Sequence, residues 1–161
     1  MRYMSTFNLF NDRVDIMLSD GEIVTLYFNQ NSGRAYYRNK LPAIKHPGIY
    51  IGSDQNGIEY FAHNHPFQGK PTLVPGIDFS DGANIFLYPE FATNPPLKVI
   101  EIALNRILSA EKYTLMTFNC QDFVNEALIS KRKSPAVNNS FGGIFAILLA
   151  GLLLSFASSS K

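Results

Sequence analysis

The feature that most constrains this chain lies near its C-terminus: residues 141–157 (FGGIFAILLAGLLLSFA) carry no charge. At about 1.5 Å per residue a helix over this stretch would be roughly 25 Å long, and its uncharged flanks extend it toward the ~30 Å of a bilayer's hydrocarbon. A helix buried in a protein core normally keeps a polar stripe, whereas this segment is apolar all round. The expectation is a single transmembrane anchor at residues 141–158, following a basic linker at 131–140 that opens with Lys131, Arg132 and Lys133. Those cations, against Lys161 alone on the far side, would hold the preceding domain in the cytoplasm. The residues before Asp20 contain no apolar core followed by a small-residue cleavage site, so no secretory signal is expected. Gly142, Gly143, Ala146, Ala150 and Gly151 include small residues about four apart, through which one anchor helix could pack on another.

Subtracting the anchor from 161 residues leaves enough chain for one domain with a real core. A formal charge of +1 gives no basic field of the kind that grips a phosphate backbone, so nucleic acid is not an expected partner. The chain has one cysteine, which cannot form an intramolecular disulfide, and a reducing compartment suits it.

Along the domain, residues 13–28 read as a β-hairpin turning at Asp20-Gly21. Residues 29–40, rich in Asn, Arg, Tyr and Gly without a clear period, read as a loop. A second hairpin runs from His46 to His65 around Asn56-Gly57, with Pro47 placed at the start of its strand. Strands are predicted over residues 72–74 and 83–88. A helix opens at Asn94-Pro95-Pro96, with Asn94 as cap and Pro95 first in the helix, and buries Ile100, Ala103, Leu104, Ile107 and Leu108. A second helix begins near Asn119, with Cys120, Val124, Ala127 and Leu128 on one face. The fold class is α+β, an antiparallel β-sheet packed against two helices.

Cys120 carries the chemistry. In the first turn of a helix a thiol sees free N–H groups and the positive end of the macrodipole, which predicts a pKa below the usual ~8.5. The backbone N–H at Cys120 could also stabilise an oxyanion on a carbonyl under attack. All three histidines, His46, His63 and His65, fall in one hairpin, whose pairing brings them to one region of the sheet. A thiol, an imidazole base and a second group to orient that base are what nucleophilic catalysis needs. His63 and His65 are two apart and share a strand face, so spacing leaves both open as the orienting residue.

His46-Pro-Gly-Ile-Tyr-Ile-Gly, a later strand carrying Ala62-His63, and Asn119-Cys120-Gln-Asp-Phe-Val resemble the His box and Asn-Cys box of the lecithin:retinol acyltransferase-like family, circularly permuted relatives of NlpC-type papain-like thiol enzymes. The resemblance implies a catalytic domain over residues 41–130, preceded by the hairpin and loop at 1–40. It implies Cys120 as nucleophile, His46 as general base and His63, with His65 as the alternative, as the orienting histidine. Acyl transfer or hydrolysis on a membrane lipid ester through a thioester is the first expectation. A peptide amide is the second, and a non-enzymatic anchored interaction module the third. Three histidines and a thiol could also bind zinc, but the helix start already accounts for the cysteine, so no metal and no cofactor are expected.

Overall fold

The computed structural model describes residues 3–41, 44–89, 91–114 and 119–131. The expected anchor at 141–158 and the linker beyond Lys131 lie outside the described residues. Among the described residues no helix is long and apolar enough to cross a membrane.

The chain is α+β, built on an antiparallel sheet that counts eight strands among the described residues. It opens with a meander, β1 (Met4–Leu9), β2 (Arg13–Leu18) and β3 (Ile23–Tyr27). The β2–β3 hairpin follows its alternation: Val14, Ile16 and Leu26 are fully buried, and Gly21 takes the left-handed turn position at φ +86°. Strand β1, which pairs with β2, was not anticipated from sequence.

Residues 29–40 are not the expected loop throughout, because β4 (Ala35–Leu41) lies at their end and pairs with β5 (Ile44–Ser53). Its polar letters hid a strand because Arg38 is buried rather than solvated. A boundary between residues 40 and 41 falls inside this strand. Pro47 lies within β5, opposite Tyr37, one residue before pairing with the next strand begins at Gly48. That strand, β6 (Glu59–His65), is followed by β7 (Lys70–Pro75), the short helix α1 (Gly76–Ser80) and β8 (Ile85–Leu87), which returns to pair with β4. Strand β3 meets β5 at Tyr27 and Ser53. Gly52 permits that approach, since a Cβ there would stand 2.4 Å from the Tyr27 carbonyl oxygen.

Two longer helices cover one face of the sheet. Helix α2 (Pro96–Ser109) is capped by Pro95 rather than Asn94. The Asn94 amide instead donates to Ala127 O at 2.8 Å and Ser130 Oγ at 2.9 Å, tying the start of α2 to the end of α3 (Cys120–Ile129). Val99, Ile100, Ala103 and Leu104 of α2 and Phe123, Val124, Ala127 and Leu128 of α3 meet Ile49, Ile51 and Ala62 in the main core. Burying each large side chain there contributes about 1.5–3 kcal/mol. The opposite side of β5 and β6 carries a smaller aromatic cluster, Tyr50, Phe61 and Phe79, whose last member comes from α1.

Candidate active site

Strand register decides which side chains meet. Arg38 on β4 lies directly opposite His46 on β5, and Gly48 lies opposite His63 on β6. Since alternate residues of a strand share a face, Arg38, His46, Gly48, His63 and His65 all belong to one face. Gly48 is required there: a Cβ would come within 2.6 Å of the Phe79 ring and 3.1 Å of Ala62 O. With the hydrogen atom in its place, the Phe79 ring centroid sits 6.1 Å from that of His46 and 5.7 Å from that of His63.

His46 Nε2 and His63 Nδ1 are hydrogen-bonded at 2.9 Å, with the rings nearly perpendicular. The third ring, His65, lies 4.9 Å from His46, centroid to centroid. Its Nδ1 accepts a hydrogen bond from the Phe67 N–H at 3.3 Å. The structure therefore brings all three histidines together and gives the hydrogen bond to His46 to His63.

Both paired rings are buried, His46 at 9% and His63 at 2% exposure, and burial is the main reason they rest uncharged. Desolvation, then the His63, Arg38 and His65 charges, push His46 down to about 2. Desolvation, then His65 and Arg38, bring His63 to about 3, with the Gln68 side chain opposing. His65 is lowered by burial and Arg38, against Asp81. Of the two ways to place the shared proton, one suits a base. With Nε2–H of His46 donating to His63 Nδ1, His46 keeps Nδ1 as a free acceptor, and the His63 proton sits on Nε2. Although Gln68 is near enough to favour a protonated His63, Nε2 of His63 completes no hydrogen bond among the described residues.

Cys120 is the first residue of α3, as its sequence context predicts. The Asn119 side chain accepts from the Gln121 and Asp122 N–H groups at 2.8 and 3.1 Å, and Asp122 Oδ2 accepts from the Asn119 N–H. This reciprocal box fixes the turn that carries the thiol. The expected low thiol pKa is overturned. Although the residue as a whole is only partly covered, desolvation pushes Cys120 up to about 11. The N–H groups of Gln121 and Cys120 and the Arg38 charge oppose that rise, while Asp122 adds to it. The capping carboxylate thus offsets part of the advantage of the helix start. The resting site is neutral in both thiol and imidazoles.

Helix α3 packs on β5 and β6 from the side of Ile49, Ile51 and Ala62, whereas the histidines lie on the side that carries Phe79. Two further residues join the site. Arg38 is 7% exposed, donates to Phe79 O at 2.9 Å and lies 3.5 Å from Asp81 Oδ2. Tyr113 is held by its N–H to Gly69 O at 2.7 Å, and its hydroxyl is pushed up by burial, then by Cys120 and Asp122. Arg38 could have been found from the alternation Ala35-Tyr36-Tyr37-Arg38, had those residues been read as a strand. Nothing in the local sequence marks Tyr113.

A cavity of about 160 Å³ adjoins the histidines, lined by Arg38, His63, His65, Gln68, Asp78 and Asp81. A larger cavity, about 390 Å³ and lined by residues of α2 and α3 such as Arg106 and Glu126, holds none of the candidate catalytic residues. Phe67 and Ile77, 94% and 80% exposed, are chain neighbours of the smaller cavity's Gln68 and Asp78. Among the described residues no group of three or more His, Cys, Asp or Glu is arranged to hold a metal ion. In comparisons with known proteins, no family model, no curated protein and no solved structure matches this chain.

Proposed function

We propose that the chain is a membrane-anchored thiol acyltransferase or hydrolase acting on lipid esters. The observation that carries this reading is the buried 2.9 Å His46–His63 hydrogen bond, in a chain whose one thiol opens the capped helix α3. As sulfur attacks the ester carbonyl, His46 takes the thiol proton at Nδ1, and His63 holds the other side of the ring. The S–C bond forms, the carbonyl π electrons move to oxygen, and the backbone N–H of Cys120 stabilises that oxyanion. Collapse breaks the ester C–O bond, and the proton on His46 leaves with the alcohol. Water or an acceptor alcohol or amine then resolves the thioester. Because the thiol and His46 rest neutral, proton transfer accompanies the attack instead of preceding it as a thiolate–imidazolium pair. Exposed Phe67 and Ile77 beside the cavity suit a substrate that arrives in an apolar phase.

A neutral resting thiol favours a second reading, an anchored interaction module with a silent site. Intact-mass measurement of the full-length protein with short-chain phospholipid separates the two. Catalysis predicts a fatty-acyl mass on the protein that is absent in Cys120→Ala and His46→Ala and falls more in His63→Ala than in His65→Ala. A peptidyl adduct from a mixed peptide pool would move the substrate to the amide class. The absence of any adduct on the wild type leaves the interaction module.

A further inference from the structure

We propose that the cavity beside His63 is a binding site for a small free amino acid, whose carboxylate meets Arg38 and His63 at the floor and whose ammonium group meets Asp78 and Asp81 at the rim. The site stands on its own lining and does not depend on Cys120.

Among the lining residues Arg38 and His63 are buried, while Gln68, Asp78 and Asp81 are exposed, so donors occupy the deep end and carboxylates the mouth. His63 is the residue left incomplete. Its Nδ1 is taken by His46, and its Nε2, on a residue 2% exposed, completes no hydrogen bond among the described residues. With His46 Nε2–H donating to Nδ1, Nε2 carries the proton and can give it to an acceptor in the cavity. A buried polar atom without a partner is unfavourable, and such an acceptor removes that cost. Arg38 adds a planar fork. Its contacts to Phe79 O at 2.9 Å and Asp81 Oδ2 at 3.5 Å both run through Nη1, which leaves Nε and Nη2 as further donors. A carboxylate is the planar acceptor that such a fork binds.

Charge decides the other end of the ligand. With the imidazoles neutral, the lining holds one cation, Arg38, and two carboxylates, so a bare anion would enter a site already negative. A ligand with an ammonium group beside its carboxylate is matched at both ends. Although two histidines and two aspartates line the cavity, they are not arranged to hold a metal ion. Its volume, about 160 Å³, suits a molecule of about six non-hydrogen atoms, the size of alanine or serine.

The imidazole nitrogen resonances of the full-length protein in detergent micelles read this site, since the chain holds three histidines. Glycine, alanine and serine are the probes, with acetate and methylamine as the two halves of the ligand. The expected result is a saturable shift of the His63 Nε2 resonance with an amino acid, and binding of either half at least about tenfold weaker. Asp78→Asn, at the exposed rim, should weaken the amino acid about tenfold and leave acetate no weaker. Arg38→Met should weaken both; if loss of that buried side chain unfolds the protein, Asp78→Asn decides alone. No saturable shift with any of the three amino acids, the result for a cavity that holds solvent only, overturns the site. Acetate that binds as tightly as the amino acids, or an Asp78→Asn affinity equal to that of the wild type, overturns the ligand assignment. The proposed function is read separately, by mass on Cys120, so either can fail without the other.

Discussion

Lowering the pH from about 6.5 to about 4.5 is expected to destabilise this protein strongly before most of its carboxylates titrate. The perturbation acts on His46 and His63, which fall from an ordinary 6.5 to about 2 and about 3 in the folded chain. A depressed folded pKa means that stability is fully present above 6.5 and is lost as pH falls toward the folded values. Across that window the unfolded chain binds about two protons that the folded chain refuses. Each contributes about 1.4 kcal/mol per pH unit, so two groups over two units remove about 5 kcal/mol. That equals the lower end of the total stability of an ordinary domain. His65, shifted in the same direction, adds to the loss. Urea titrations at about pH 7 and about pH 4.5 measure it. His63→Asn should retain roughly half of the acid sensitivity of the wild type. Equal urea midpoints at the two pH values would refute the neutral, buried pair, and an unchanged pH dependence in His63→Asn would refute its assignment to that residue.

Asn119→Ala removes the acceptor for the Gln121 and Asp122 N–H groups and should lower stability by about 1–2 kcal/mol in urea unfolding. A loss within error of zero would mean that the cap does not hold the thiol-bearing turn. Gly52→Ala pushes a Cβ to 2.4 Å from the Tyr27 carbonyl oxygen and should destabilise by about 1–3 kcal/mol. A Gly52→Ala loss within error of zero would remove Gly52 from the β3–β5 closure.

Sequence reading succeeded where one local rule decided the outcome. The β2–β3 and β5–β6 hairpins turn at glycines with φ +86° and +78°, and α3 begins where Asn119 can cap it. It failed where tertiary context decided. Strand β4 looks like a polar loop because Arg38 is covered by the fold, and missing the strand meant missing the charge it sets beside His46. The shift at Asn94 arose because that side chain reaches α3 instead of capping its own helix. The histidine cluster was legible because hairpin pairing is local. The thiol's pKa was not, since it depends on desolvation by distant segments and on Asp122, whose letter reads equally well as an innocent part of a capping box.

The two imidazoles that meet at 2.9 Å are 17 residues apart in a single hairpin, whereas α3 comes after every described strand and after α2. During synthesis such a hairpin can close within microseconds of leaving the ribosome, while Cys120 has yet to be made. A nascent chain therefore carries the histidine pair without the thiol, and Cys120 joins it only when every described strand has been made. The same order leaves Ile49, Ile51 and Ala62 without their α3 cover until late, so the growing chain is most exposed to aggregation in that interval.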